Sequence, residues 1–80
     1  MPDIILLDIM MPEMNGIQVL EKLKSDTQTK NIPVLVLSNI TESKYETRTL
    51  ELGAEQYLIK SQYLPIDIVN IVKKRLLKIN

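Results

Sequence analysis

The sequence contains no cysteine and no histidine. Those two absences exclude a disulfide framework, a thiolate nucleophile, histidine general-base chemistry and the usual zinc sites. No apolar run approaches the roughly 18 residues that a membrane span needs. The opening Met1-Pro2-Asp3 lacks a basic segment followed by an apolar one, so a cytoplasmic location is the default expectation. Excess charge of either sign is missing too, because ten Lys plus Arg balance ten Asp plus Glu. No overall field draws the chain to nucleic acid or an anionic membrane, and recognition has to come from a local site.

What remains is ordinary globular material, with 45% apolar and 25% charged residues in 80 positions. Residues 1–80 make one domain at most, and a chain this short buries only about 60% of its unfolded surface, so its stability margin is thin.

Ile4-Ile5-Leu6-Leu7 is a continuous apolar run closed by Asp8-Ile9, and from Asp3 onward it has the length and branching of a strand buried on both faces. Residues 10–16 carry Pro12, Asn15 and Gly16, a loop signature in which Asn15 can cap the helix that follows. Ile17, Leu20 and Leu23 recur at helical spacing to about Ser25. Pro33-Val34-Leu35-Val36-Leu37 repeats the strand pattern and closes on Ser38-Asn39. Asn39 followed by Glu42 has capping-box spacing for a polar helix over residues 41–52, with Gly53 as its stop. Tyr57-Leu58-Ile59, closed by Lys60-Ser61, predicts a third strand, and a last helix starts near Pro65 and runs through Ile68, Val72 and Leu76. The order β-α-β-α-β-α implies an α/β fold with a parallel sheet.

Each apolar run thus ends in a polar residue: Asp8, Ser38 and Lys60. All three emerge at the C-terminal edge of one sheet, where open parallel sheets bind ligands. With strands about 4.8 Å apart, Lys60 starts roughly 10 Å from the Asp8 strand, and a lysine stem spans much of that over a small residue such as Ser38. An aspartate carboxylate accepts phosphoryl groups, and a hydroxyl and an ammonium can hold the transferred oxygens. Taken singly, Asp8 reads as a loop cap, Ser38 as a turn residue and Lys60 as a solvated strand-end lysine. Capping alone does not account for an acid, a hydroxyl and a base on three different strand ends.

The stretch Asp3-Ile4-Ile5-Leu6-Leu7-Asp8-Ile9-Met10-Met11-Pro12-Glu13-Met14-Asn15-Gly16 resembles the third strand and following loop of the receiver domains of two-component response regulators, and the likeness extends to the last helix. The resemblance implies a flavodoxin-like fold with Asp8 as phosphoacceptor and Pro12 and Gly16 shaping the loop. Asp8 and the Met10 carbonyl would then be magnesium ligands, Lys60 the lysine that contacts the phosphoryl group, and Ser38 and Tyr57 the switch pair. On this reading a histidine kinase or phosphotransfer protein supplies the phosphoryl group, Mg²⁺ assists, and the face on residues 41–76 carries the output. Receivers catalyse their own phosphotransfer and dephosphorylation without being conventional enzymes. The plainer reading of Tyr57 is an aromatic covering the sheet edge.

Departures from the family pattern carry expectations of their own. Ser61 stands where the family usually has a cis-proline, and a cis bond to a non-proline residue costs about 2.5 to 4 kcal/mol, so a trans peptide is expected. Asn39 stands where a small residue is common. Residues 1–80 read as a receiver truncated at its N-terminus, without the first two strands and helices. The acidic pair that helps to hold Mg²⁺ goes with them, and Asp3, roughly 16 Å from Asp8 along a strand, cannot replace it. Weak or absent magnesium binding follows, as does an Asp8 strand with an exposed edge that leaves the chain marginally stable or pairing as a homodimer. A degenerate, phosphorylation-incompetent interaction module is the alternative. A haloacid-dehalogenase type enzyme would want a second aspartate where Met10 stands.

Overall fold

The computed structural model describes residues 3–9 and 14–77, with Met14 and Asn15 described for their backbone only. Three strands, β1 (Ile5–Ile9), β2 (Val34–Ser38) and β3 (Gln56–Ile59), alternate with three helices, α1 (Met14–Ser25), α2 (Ser43–Glu51) and α3 (Pro65–Leu77). A short 3₁₀ turn, Lys60–Gln62, separates β3 from α3. The sheet order is β1-β2-β3, with both pairs parallel.

The register sorts the strand residues onto two faces. Asp8 stands level with Leu37, and Leu37 with Leu58, while Ile9, Ser38 and Ile59 form the next row. Ile9, Val34 and Val36 pack with Leu20 of α1 and with Ala54, joined by the half-buried Ile5, Leu7, Leu23, Leu52 and Tyr57. Leu20, Val34 and Val36 are fully buried, each worth about 1.5–3 kcal/mol of transfer free energy. Thr49 is the buried residue of α2; its hydroxyl donates to the Glu46 carbonyl at 2.9 Å, which removes the cost of burying it.

The C-termini of α1 and α2 follow from local chemistry. After α1, the Asp26 carboxylate accepts the Gln28 N–H at 2.8 Å, and the Thr29 hydroxyl donates to the Leu23 carbonyl at 2.6 Å. Lys24 reaches over that loop and donates to the carbonyls of Lys30 at 3.2 Å and Ile32 at 2.9 Å. Gly53 follows α2 at φ 110°, a conformation that glycine adopts without a Cβ penalty, and its N–H returns to the Leu50 carbonyl at 3.0 Å. At the start of α3, Pro65 takes the first position, and Asp67 accepts the Leu64 N–H at 2.9 Å. Arg75 forms a two-pronged pair with Glu55, which raises the guanidinium above its ordinary pKa.

Three sequence expectations are corrected here. The first strand is not buried on both faces: Leu6 is 45% exposed and Asp8 is exposed. β1 pairs only with β2 in the described sheet, and a uniformly apolar run cannot register which neighbours are present to cover it. The Asn39–Glu42 capping box does not form. α2 starts at Ser43, its N-cap Glu42 makes no side-chain cap bond, and Asn39 stands too far upstream to reach the first turn. Asn15 is not a cap either, because α1 already begins at Met14 and includes both Asn15 and Gly16.

Gly16 has a packing role instead. A Cβ there would lie 2.6 Å from Ile9 Cγ1, so glycine lets the first turn of α1 close onto β1. The contact falls on Ile9, the neighbour of Asp8 in β1.

Candidate functional site

Asp8 is the penultimate residue of β1, and Lys60 is the first residue after β3. Because β2 lies between them, the lysine stem has to cross the end of the middle strand. It does so: Lys60 Nζ lies 3.0 Å from Asp8 Oδ2, a contact across 52 residues of sequence. Both side chains keep solvent access, at 36% and 45% exposure, so the acid and its counterion line an open edge, not a sealed core. An exposed ion pair of this kind contributes little to stability, with a median of about 0–1 kcal/mol. Its chemical content is larger, because an ammonium beside one carboxylate oxygen can neutralise charge arriving at the other.

Ser38 is fully buried at the end of β2, level with Ile9, on the opposite side of the pleat from Asp8. Its Oγ accepts the Ile40 N–H at 3.0 Å. The β2 position level with Asp8 is Leu37. Tyr57 is half-buried in β3, and its hydroxyl donates to the Ile40 carbonyl at 2.8 Å. Ser38 and Tyr57 therefore meet at one residue, Ile40, Ser38 accepting from its N–H and Tyr57 donating to its carbonyl, while Asp8 and Lys60 meet each other. Pro12 and Met10, expected as loop-shaping residue and backbone metal ligand, lie outside the described residues.

Among the described residues no group of three acidic, cysteine or histidine side chains converges as a metal cluster. Asp8 offers one carboxylate, and one of its oxygens already faces the Lys60 ammonium. Asp3 lies near the other end of β1. The described residues alone do not make the oxygen-rich octahedron that a magnesium ion requires.

One contact had no warning in the motif reading. The Asn39 side-chain oxygen accepts the Ser61 N–H at 3.0 Å, joining the loop after β2 to the turn after β3. Its signal was the presence of an amide donor at position 61, which the usual proline would lack. The peptide between Lys60 and Ser61 is trans, since the described backbone contains no cis bond.

Comparison with known proteins agrees with this geometry. The family model of the response regulator receiver domain matches residues 1–73. The response regulator PleD of Caulobacter vibrioides is 45% identical over 69 residues, which is 86% of this chain and 14% of that protein. Among solved structures, the phosphorylated cyanobacterial phytochrome response regulator RcpA superposes with a TM-score of 0.79 at 34% identity, over 99% of this chain and 58% of that one. The Mn²⁺-bound form of response regulator Rcp1 gives 0.77 at 31% identity, over 99% and 58%. The chain thus spans a small part of the curated relative and somewhat over half of the solved neighbours. With three parallel strands in flavodoxin-like order, and an acid and a lysine joined across their C-terminal edge, the chain belongs to the response regulator receiver domains of two-component systems.

Proposed function

We propose that this chain is a phosphoacceptor module in histidine-to-aspartate signalling, with Asp8 as the nucleophile. The observation that carries the reading is the Lys60 ammonium held 3.0 Å from Asp8 Oδ2 at an exposed strand edge. In the proposed step an Asp8 carboxylate oxygen attacks the phosphorus of a phosphohistidine. A P–O bond forms, the P–N bond breaks, and the imidazole leaves with the electron pair and takes a proton from water. Lys60 stays protonated throughout and neutralises a phosphoryl oxygen. The Ser38 hydroxyl, now turned to Ile40, would bond a second phosphoryl oxygen after rotation, and Tyr57 would follow because it holds the carbonyl of the same residue.

The donor is a histidine kinase or a phosphotransfer protein, and the setting is cytoplasmic. Signalling onward runs through the last strand and helices, without direct nucleic-acid contact; no helix of the described residues is long and apolar enough to cross a membrane. Magnesium binding through Asp8 and the Met10 carbonyl is weak or absent, in keeping with the single carboxylate at the described site. That same observation favours one other reading, an interaction module that no longer accepts phosphate.

The two separate on intact mass after incubation with acetyl phosphate, with and without magnesium, for the parent chain and Asp8→Asn. An added phosphoryl mass in the parent that is lost in the variant is expected. No added mass in a folded parent chain favours the interaction module.

A further inference from the structure

The Lys60–Ser61 peptide is tied at both ends. Its carbonyl accepts the Tyr63 N–H at 3.2 Å, which closes the 3₁₀ turn, and its N–H donates to Asn39 Oδ1 at 3.0 Å. The first N–H groups of a short helical turn have no partner inside the turn, so an acceptor has to come from elsewhere. Here it comes from a loop 22 residues earlier in the chain. Asn39 is itself exposed and has no capping duty, since the α2 N-cap is Glu42. The backbone on either side of Asn39 is held, on one side by the β2 ladder at Ser38 and on the other by Ile40, bound to Ser38 Oγ and Tyr57 Oη. The asparagine is therefore a short arm projecting from a fixed base.

We propose that Asn39 is a positioning residue for Lys60, its side-chain oxygen clasping the Ser61 N–H so that the peptide carrying Lys60 is held with the ammonium over Asp8. A lysine stem has four rotatable carbons, and a lysine leaving a free turn would spread its ammonium over many positions. Fixing the plane of the peptide that follows Lys60 restricts where that stem begins. Only an N–H at position 61 permits the bond, because proline there would remove the donor. The clasp also joins the end of β2 and the loop after it, which carry Ser38 and Ile40, to the turn that carries Lys60, so a movement of one is felt by the other.

The role in phosphoryl transfer rests on the proposed function, whereas the clasp does not, and two readouts keep them apart. On the full chain and its Asn39→Ala variant, NMR follows hydrogen exchange of the Ser61 amide and of the Lys60 ammonium, and intact mass follows the rate of labelling by acetyl phosphate with magnesium. Loss of one exposed hydrogen bond is expected to quicken both exchange rates about three- to tenfold and to slow labelling by a similar factor. Ser61→Pro, which leaves no amide at position 61 to follow, should quicken the Lys60 ammonium exchange and slow labelling likewise, and adding Asn39→Ala to it should change nothing further. If Asn39→Ala leaves the Lys60 ammonium exchange unchanged, the contact is only a staple between loops and the proposal is overturned, even where Ser61 exchange quickens. If the parent chain accepts no phosphoryl group, the proposed function fails, and the ammonium exchange still decides the clasp.

Discussion

Lys60 and Asp8 form an ion pair whose value is chemical, and the two kinds of value separate in one variant. Lys60→Gln keeps much of the stem and removes the charge. Because the pair is exposed, its loss should change unfolding free energy by less than about 1 kcal/mol in urea titration. Labelling by acetyl phosphate should fall about tenfold or more, since the developing charge loses its counterion. A large stability loss with unchanged labelling would reverse that assignment. Both residues were legible in the sequence, because each closes an apolar run and parallel strands deliver their ends to one edge. Ser38 was legible as a strand end, but its direction was not. Alternation places it beside Ile9, away from Asp8, and only the register shows which side that is.

The elements owe their positions to a few close approaches. Gly16→Ala would bring a methyl to 2.6 Å from Ile9 Cγ1 and force α1 away from β1. Overpacking of this kind should cost about 1–3 kcal/mol, read as a lower urea midpoint at unchanged slope. Gly53→Ala strains the chain in a second way. At φ 110° an alanine is disfavoured, and its Cβ would also press on the Lys24 stem at 3.3 Å, so a loss of about 1 kcal/mol or more is expected in the same titration. Element type and order could be read from periodicity and punctuation, because 3.6- and 2-residue patterns and glycine stops are local. The start of α2 could not. Asn39 and Glu42 have capping spacing, but a distant donor, the Ser61 N–H, competes for the asparagine, and a local signature contains no record of it.

At the scale of the whole molecule the open β1 edge of the described sheet dominates. β1 pairs with β2 alone among the described strands, and Leu6 stands 45% exposed on its open face. An apolar strand with a free ladder edge templates association. Sedimentation equilibrium of the 80-residue chain is expected to show concentration-dependent dimerisation through β1. Leu6→Lys should weaken it, because a charge on an edge strand opposes strand addition. A monomer at all concentrations in the parent chain would contradict this reading of the edge. The exposed-edge expectation follows directly from strand order, whereas the run Ile4-Ile5-Leu6-Leu7 suggested two covered faces. Hydropathy records what a strand can bury, and coverage depends on what lies beside it.

The central claim is that Asp8 accepts a phosphoryl group at this edge. Reductive trapping with borohydride tests it most directly, because an aspartyl phosphate is converted to homoserine at the residue that carried it. The full chain, folded and treated with acetyl phosphate and magnesium, is reduced, digested and sequenced by tandem mass spectrometry. Homoserine at position 8 is expected, with none at Asp3, Asp26 or Asp67. Homoserine at one of those other positions, or none in a chain verified to be folded, would contradict the assignment.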